Sequence, residues 1–389
     1  MSVELTVDIE RILPGGLGLA HSNGETIFVS LAAPDDRLRV TIDRRQRNVA
    51  FASIKEILDP SPLRVEPPCP YFGRCGGCDF QQLTYDAQLL AKSEIIRDCL
   101  HRIAKLSDPP DVKVQPSPEV WRYRGRAVWQ VSEDKQAIGY YERGSRRVCD
   151  IADCAVLLPQ LQATLERVRS TPISEMANDL KHLEVVTGDD GVSLAPEFAE
   201  FQTNEVTLRI GDETYAYNAR AFFQINQTLL EKLVTFALGG RQGETAVDLY
   251  CGVGLFTLPL ARRFRKVFAV EANGVASAFC RKNLERANLQ NARTETATVG
   301  EWLRVHSKKS APVDLVLLDP PRAGAESVVI RGVLDLEPAR ICYVSCDPAT
   351  LARDLKKLVS AGYSLDSIMA FDMFPQTHHV ETVVHLVKQ

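Results

Sequence analysis

Two motifs near the end of the chain place reactive side chains directly after apolar runs. Asp319 ends one such run and is followed by Pro320-Pro321-Arg322, and Cys346 comes after a second run at 341–344. Apolar, β-branched runs that stop in a proline-containing polar turn are typical of buried parallel strands. Ligands and reacting groups gather at the carboxyl ends of such strands. The sequence therefore predicts a thiol and a carboxylate at one sheet edge, with Cys346 as a candidate nucleophile.

The surroundings of Cys346 distinguish it from a cysteine that only packs. Pro348 suits the first position of a helix, and a thiol near a helix N-terminus is favoured as thiolate. Cys342 lies inside the apolar run and is predicted to be a packing residue. Packing is also the alternative role for Cys346.

A Gly-x-Gly turn, Gly252-Val253-Gly254, follows the predicted strand 245–250. The next predicted strand, 266–271, ends at Glu271, whose carboxylate could accept hydrogen bonds from ribose hydroxyls. The third glycine of the dinucleotide fingerprint is missing, which argues against a bound pyrophosphate. A nucleoside cofactor without phosphates, such as S-adenosylmethionine, fits the motif better. A tight turn with no ligand is the alternative.

Beside an adenosyl cofactor, the rigid turn after Asp319 points toward methylation of a nucleobase. C5 of a pyrimidine is a poor nucleophile, but addition of a thiolate at C6 makes it reactive. A general base must then remove the C5 proton. Glu381, a lone acid at the start of the apolar strand 380–387, is the candidate, and burial there would raise its pKa. His378 and His379 are the alternatives.

Three cysteines within ten residues, Cys69, Cys75 and Cys78, have the spacing C-x5-C-x2-C. This density indicates ligands rather than packing residues, and a fourth ligand is needed. Cys149 and Cys154 are the choices. All-thiolate ligation suits an iron–sulfur cluster or zinc.

The composition is that of a cytoplasmic globular protein of two or three domains. The 389 residues are 45% hydrophobic and 25% charged, with a net charge of −4. No apolar run approaches a membrane span, and the acidic, alternating start is unlike a signal peptide.

The segment 121–147 contains seven Lys and Arg against three acidic residues. Interleaved with them are Trp121, Tyr123, Trp129, Tyr140 and Tyr141. Basic and aromatic side chains in this mixture are typical of contact with RNA. A half-exposed sheet with cross-strand aromatic pairs is the alternative.

The motifs lie on an ordered succession of elements. Short strands and Gly-rich turns at 1–57 predict a small barrel, and a proline-rich linker follows at 58–68. A helix is predicted at 84–105, and a second at 158–169 within a mixed segment. Later strands are predicted at 245–250, 266–271, 313–318, 340–345 and 380–387, with helices such as 274–287 and 348–361. Their alternation predicts a parallel, doubly wound α/β sheet.

Together these residues resemble the uracil-5 RNA methyltransferases that carry an iron–sulfur cluster, over nearly the whole chain. The matching motifs are Cys69-Pro-Tyr-Phe-Gly-Arg-Cys75-Gly-Gly-Cys78, Phe222-Phe223-Gln224-Ile225-Asn226, Asp248-Leu249-Tyr250-Cys251-Gly252, Ser345-Cys346-Asp347-Pro348 and His378-His379-Val380-Glu381-Thr382-Val383. Two departures stand out, because Leu255 and Asp347 occupy positions where asparagine is common.

The resemblance implies three domains. The range 1–57 would be an OB-like TRAM barrel that binds RNA, followed by the linker 58–68. The range 69–214 would be a central α+β domain carrying a [4Fe–4S] cluster, with the helix 84–105 packed on the catalytic domain. The range 215–389 would be a Rossmann-like, S-adenosylmethionine-dependent methyltransferase domain.

The resemblance also assigns the site residues. Cys346 would be the nucleophile and Glu381 the proton acceptor. The residues that would contact S-adenosylmethionine are Gln224, Tyr250, Gly252, Gly254, Glu271 and Asp319. The cluster ligands would be Cys69, Cys75, Cys78 and Cys154, which selects Cys154 over Cys149.

The implied activity is methylation of C5 of a uridine in 23S ribosomal RNA, by a monomer with no obligate protein partner and no membrane. The same reaction on transfer RNA is the alternative. A cytosine-5 enzyme would carry a second cysteine after the Pro-Pro, where Arg322 stands. A different class, an RNA-binding or redox-sensing cluster protein without methyltransferase activity, is opposed by the intact Cys346 and Glu381.

Overall fold

The computed structural model describes residues 3–172, 176, 179–307 and 312–389. The predicted ranges 1–57 and 69–214 include residues 1–2, 173–175 and 177–178, which lie outside these. No helix in the described ranges is long and apolar enough to cross a membrane.

The first sheet forms from the alternating segments near the start of the chain. Its strands are β1 (Glu4–Asp8), β2 (Arg11–Ile12), β3 (Leu17–Ser22), β4 (Glu25–Ser30), β5 (Arg37–Gln46) and β6 (Val49–Asp59). They lie in the order β1-β5-β6-β4-β3-β2. The two edge strands, β1 and β2, are nearly consecutive in the chain, so the sheet curls around one apolar core that includes Ile27 and Val40.

The middle of the chain combines two helices with short antiparallel strands. The elements are α1 (Tyr85–Arg102), β7 (Val114–Gln115), β8 (Arg126–Val131), β9 (Ile138–Tyr141), β10 (Val148–Asp150), α2 (Pro159–Ser170), β11 (His182–Gly188), β12 (Gly191–Ala195), β13 (Val206–Ile210) and β14 (Glu213–Tyr217). Thr84 caps α1 because its side chain accepts a hydrogen bond from the backbone N–H of Ala87. The apolar face of α1, including Ile96 and Leu100, packs in the same core as Leu318 and Tyr343.

The last part of the chain alternates helices and strands in a mixed α/β fold. Its elements are α3 (Leu230–Leu238), β15 (Gly243–Leu249), α4 (Thr257–Ala261), β16 (Phe264–Glu271), α5 (Gly274–Arg286), β17 (Ala292–Thr296), α6 (Val299–His306), β18 (Leu315–Leu318), α7 (Ser327–Asp335), β19 (Arg340–Ser345), α8 (Pro348–Ser360), β20 (Tyr363–Phe371) and β21 (Glu381–Lys388). The sheet order is β17-β16-β15-β18-β19-β21-β20-β7. The strand β7, from the middle of the chain, thus extends the edge of this sheet.

The prediction of an all-parallel sheet is wrong for the final strand. From β17 to β19 the neighbouring strands are parallel, but β21 runs antiparallel to both β19 and β20. The strand β20 was not predicted. The connection from β20 to β21 contains no helix, and a parallel crossover needs a dozen or more residues. The short connection therefore forces β21 to run in the opposite direction.

This connection, residues 372–380, is here called the connector, and it joins Phe371 to its paired residue Glu381. A buried ion pair fixes its start, where Lys92 Nζ on α1 lies 2.5 Å from Asp372 Oδ1. Lys92 Nζ also donates to the carbonyl of Phe374 at 3.1 Å, and the Tyr85 hydroxyl donates to Asp372 Oδ2 at 2.8 Å. Because both ions are fully buried, neither can be left without the other at low cost.

We expect Lys92→Met to destabilise the folded protein by about 3–5 kcal/mol, because it leaves the Asp372 carboxylate buried without a cation. Urea unfolding followed by circular dichroism measures this. The matched control is Lys388→Met, which removes a lysine from an exposed pair with Glu337 and should change stability little. Equal, small effects of both substitutions would contradict the prediction.

Candidate active site

Cys346 and Glu381 face each other at the end of two paired strands. The last pair between β19 and β21 is Ser345 with Thr382, so the next position along each strand places residue 346 opposite residue 381. Asp319 follows β18, the other neighbour of β19, and therefore lies at the same edge. The thiol and the two carboxyl groups thus meet at the carboxyl ends of the parallel strands.

The turn after β19 holds Cys346 through its flanking residues. The Asp347 carboxylate accepts a hydrogen bond from the backbone N–H of Thr350 at 2.8 Å and caps α8, which begins at Pro348. The Ser345 hydroxyl oxygen accepts from the backbone N–H of Asp347 at 3.2 Å. Because aspartate and asparagine both cap helices well, Asp347 preserves the local structure in place of asparagine.

The predicted preference of Cys346 for the thiolate form is not what its surroundings favour. Burial raises the pKa of the Cys346 thiol to about 12, and the acidic neighbours Glu381, Asp319 and Asp347 act in the same direction. The nearby Arg322 guanidinium lowers this pKa. Desolvation and negative charge therefore outweigh the helix terminus. Arg322 was not predicted to influence the thiol.

Glu381 is almost completely buried, as expected for a base with a raised pKa. Burial raises the pKa of its carboxyl group well above the usual range, Asp319 raises it further, and Arg322 opposes both. The Oε1 atom is buried and has no hydrogen-bond partner among the residues described. Burial also raises the pKa of Asp319, to about 7. Both acids therefore bind a proton more readily than exposed carboxyl groups do.

The two histidines before Glu381 are poorer candidates for the base. Burial lowers the pKa of His379 to about 3, with the neighbouring His378 as a further cause, so His379 binds a proton weakly at neutral pH. The ring of His378 is already paired, with Nδ1 2.5 Å from the Asp79 carboxylate. The environment thus favours Glu381.

The Gly-x-Gly turn follows β15 and is hydrogen-bonded to the last residue of β16. The backbone N–H of Gly252 donates to Glu271 Oε2 at 3.0 Å. Gly252 has φ +55°, and a Cβ built there would meet nothing within 4 Å, so the backbone is open to a ligand. At Gly254 a Cβ would come within 3.0 Å of the Cys280 sulfur. Gly252 therefore leaves the turn accessible, whereas Gly254 lets it pack closely against Cys280. Tyr250, just before them, has φ +66°.

The segment that carries Gln224 is fixed by a buried aromatic stack. The ring of Phe223 stacks on Tyr217 at 4.4 Å and lies in the same core as the Gly-x-Gly turn. Its neighbour Phe222 is 59% exposed, with the Arg126 guanidinium 5.6 Å from the ring centre. Gln224 itself is buried. The sequence signalled Gln224, but it did not single out Phe222 or Arg126.

Leu255 occupies the position after the Gly-x-Gly turn where asparagine is common among the enzymes that the chain resembles. Its side chain is buried in the core of this domain. Its carbonyl accepts a hydrogen bond from the Tyr215 hydroxyl at 3.0 Å. Leu255 therefore serves packing.

Four cysteines line one small cavity in the middle of the chain. They are Cys69, Cys75, Cys78 and Cys154. Cys149 is fully buried on β10 and is not among the lining residues. Within the described ranges, no three His, Cys, Asp or Glu side chains form a group that could hold a single metal ion.

The predicted RNA-contact segment 121–147 is for the most part a structural sheet. Tyr123 and Trp129 are buried in the core of the central sheet, so they cannot stack on bases as predicted. Tyr141 is 43% exposed, and Arg147 pairs with Glu142 at the surface. The alternative of a half-exposed sheet is therefore the better description for most of this segment.

Comparisons with known proteins find a matching family model for the later part of the chain and relatives that cover nearly all of it. A family model described as tRNA (Uracil-5-)-methyltransferase matches residues 197–389. The chain is 32% identical to the 23S rRNA (uracil(1939)-C(5))-methyltransferase of Pectobacterium atrosepticum, over 97% of this chain and 92% of that protein. It is also 32% identical to an uncharacterized RNA methyltransferase of Thermosynechococcus vestitus, over 99% and 98%.

Among solved structures, the chain is similar to the Pyrococcus abyssi tRNA (uracil-54, C5)-methyltransferase in complex with S-adenosyl-L-homocysteine. The TM-score is 0.76 and the sequences are 28% identical, with 98% of this chain and 99% of that chain covered. The similarity therefore spans the first sheet, the cysteine-bearing middle segment and the α/β sheet.

We expect Cys346 to react slowly with iodoacetamide at pH 7 and faster as the pH rises toward about 12, because burial keeps the thiol protonated below its raised pKa. Arg322→Met should slow the reaction further at pH 8, since it removes the cation that favours the thiolate. Mass spectrometry of the Cys346 peptide measures the rate. Arg331→Met, at an exposed position on α7, is the control, and an unchanged rate in Arg322→Met would contradict the prediction.

Proposed function

Because this chain is an S-adenosylmethionine-dependent enzyme that belongs to the RNA uracil-5-methyltransferase family, we propose that Cys346 and Glu381 perform its chemistry. The observation that carries the proposal is the register of β19 and β21, which sets the thiol opposite a buried carboxyl group. A pyrimidine ring between them has C6 beside the sulfur and C5 beside the acid. The two groups then act on adjacent atoms of one base.

The reaction begins when Cys346, as the thiolate that Arg322 favours, bonds to C6 of uracil. The C5–C6 double bond opens, its electrons form an enolate, and C5 becomes nucleophilic. S-adenosylmethionine supplies the electrophilic methyl group that C5 takes. Glu381 then accepts the C5 proton, the C5–C6 double bond re-forms, and the C6–S bond breaks to release Cys346. Arg322 favours the thiolate form at the start and the end of this cycle.

The cofactor is proposed to lie across the ends of β15, β16 and β18. Glu271 would accept hydrogen bonds from the ribose, and the open backbone at Gly252 would let the nucleoside approach. Gln224, Tyr250, Gly254 and Asp319 would complete the site. Two observations support this arrangement. The space beside Gly252 is free, and the backbone N–H of Gly252 donates a hydrogen bond to the Glu271 carboxylate.

The proposed substrate is 23S ribosomal RNA. A relative named as a 23S rRNA (uracil(1939)-C(5))-methyltransferase is 32% identical over 97% of this chain. Transfer RNA is the second candidate, because the similar Pyrococcus abyssi structure is that of a tRNA (uracil-54, C5)-methyltransferase. The first sheet would act as a TRAM-type barrel that binds RNA. Its exposed Arg44, which lies 3.8 Å from the Phe51 ring, supports that role.

We also propose a [4Fe–4S] cluster held by Cys69, Cys75, Cys78 and Cys154. A zinc ion would draw its sulfurs to within about 4 Å of one another, because each Zn–S bond is about 2.3 Å. A cluster stands between its ligands, so sulfurs that surround a cavity without converging suit it better. On the cavity wall, Arg124 has a buried Nε without a hydrogen-bond partner among the described residues, and cluster sulfurs could accept from it.

The cluster's proposed role is structural. It would tie the loop 69–78 to the segment around Cys154 and would take no part in methyl transfer.

We expect Cys346→Ala to abolish 5-methyluridine formation, because no other thiol lies opposite Glu381. Glu381→Gln should still form the RNA adduct but turn over about 10²- to 10⁴-fold more slowly, since the C5 proton has no acceptor. Transfer of labelled methyl from S-adenosylmethionine to 23S rRNA and tRNA transcripts measures turnover. Denaturing gels reveal the covalent adduct.

Cys342→Ala is the control for loss of a thiol, because Cys342 packs in the core on β19, four residues before Cys346. If the Cys342→Ala protein folds, it should still form 5-methyluridine. Methylation by Cys346→Ala, or rapid turnover by Glu381→Gln, would move these roles to other residues. If only the tRNA transcript becomes labelled, tRNA replaces 23S rRNA as the proposed substrate.

We expect anaerobically purified protein to be brown and to contain iron, and Cys75→Ser to lose both, because the cavity would then lack one thiolate. Absorbance spectra and metal analysis measure this. Cys149→Ser is the matched control and should keep its iron, since Cys149 does not line the cavity. Stoichiometric zinc in the wild-type protein would contradict the assignment.

A further inference from the structure

We infer that Asp79 is a positioning residue for Glu381, and that its contact with His378 selectively supports the proton-removal step. The inference rests on the proposed roles of Cys346 and Glu381. Asp79 belongs to the loop after Cys78, far in sequence from the catalytic strands. It nevertheless contacts the connector at His378, three residues before Glu381.

The contact between Asp79 and His378 has two parts. The backbone N–H of His378 donates to Asp79 Oδ1 at 2.8 Å, and the His378 ring, through Nδ1, lies 2.5 Å from Asp79 Oδ2. The backbone N–H groups of Asp79 and Phe80 in turn donate to the carbonyl of Gln376, at 3.1 and 3.0 Å. The loop and the connector are therefore joined in both directions.

A glycine of the first sheet closes over this contact. A Cβ built at Gly16 would lie 3.2 Å from the His378 Cβ and 3.3 Å from Asp79 Oδ2. The Asp79 side chain is only 15% exposed, so water competes little for its hydrogen bonds. The contact is therefore packed from three parts of the chain and has little freedom to rearrange.

The position of the Glu381 carboxyl group depends on its backbone, because no hydrogen bond from the described residues holds one of its buried oxygens. Its Oε1 atom has no hydrogen-bond partner among the residues described. The position of the carboxyl group then follows the backbone, and the backbone before it is fixed by the connector. Gln88 fixes the preceding part of the connector through two hydrogen bonds with Gln376, at 2.9 and 3.0 Å.

Cys346 is held by different contacts. Its turn is fixed by Ser345 and by the capping of α8 by Asp347, all within one short stretch of chain. Loss of the Asp79 contact should therefore move the base and leave the nucleophile in place. In the step concerned, the C5–H bond breaks, the proton passes to Glu381, the electron pair forms the C5–C6 double bond, and the C6–S bond breaks.

The test separates this step from the steps before it by comparing two RNA substrates. In 5-fluorouridine RNA, C5 carries fluorine instead of a proton, so addition and methyl transfer give a stable adduct without Glu381. The rate of adduct formation on this RNA reports the early steps alone. On uridine RNA, the turnover rate and the amount of adduct at steady state report proton removal.

We expect Asp79→Ala to form the fluorouridine adduct at the wild-type rate, but to turn over uridine RNA about 10- to 100-fold more slowly and to accumulate adduct. Misplacement of a reacting group by about 1 Å has effects of this size. His378→Ala, which leaves the cysteine loop intact and keeps the backbone hydrogen bond, should show a smaller effect of the same kind. It tests the contact even if Asp79→Ala does not fold.

Asp98→Ala is the matched control, because Asp98 on α1 pairs with Arg11 and Arg102 and does not touch the connector. It should behave as wild type on both RNAs. Unchanged turnover in Asp79→Ala and His378→Ala would overturn the inference. So would a parallel loss of adduct formation and turnover. A wild-type enzyme that forms no adduct with fluorouridine RNA would instead overturn the proposed function, and this inference with it.

Discussion

The reversed direction of β21 is the constraint on which the site depends. Parallel strands present only their carboxyl ends at the reaction edge, whereas an antiparallel strand brings its first residue there. Because β21 is paired on both sides, with β19 and β20, its register is fixed twice. A slip of one residue would turn Glu381 to the opposite face of the sheet. The pairing of β21 thus determines on which face of the sheet Glu381 lies.

Burial gives this edge its electrostatic character. It raises the pKa of Cys346, Asp319 and Glu381, because desolvation penalises the charged form of each group. Arg322 is the cation that opposes this effect at both the thiol and the acid. Exposed groups at the same spacing would lack these coupled shifts.

Local sequence patterns predicted most of what is local. The helices at Gly274–Arg286 and Pro348–Ser360 and the strand at Arg340–Ser345 end within one residue of the expected bounds. The mixed burial of β20 concealed that strand, and with it the direction of β21. The aromatic residues at 121–147 were misread because composition does not tell which face of a sheet is covered.

Contacts that hold the site together left no signal in the sequence. The partners in Lys92–Asp372, Gln88–Gln376 and Asp79–His378 are separated by 280, 288 and 299 residues. Two charged or polar side chains at such distances show no periodicity and no common motif. The resemblance to a family predicted which groups react, but only the folded chain reveals what keeps them in place.

These separations also bear on how the protein is made. Ribosomes synthesise a chain from its amino end. Asp79, Gln88 and Lys92, which contact the connector, therefore emerge hundreds of residues before it. The strand β21 lies between β19 and β20, yet it is synthesised after both, so this part of the sheet stays open until β21 has been made. Contacts of such high sequence separation form slowly. Chains that end before Glu381 therefore lack this acid and the strand that lies between β19 and β20.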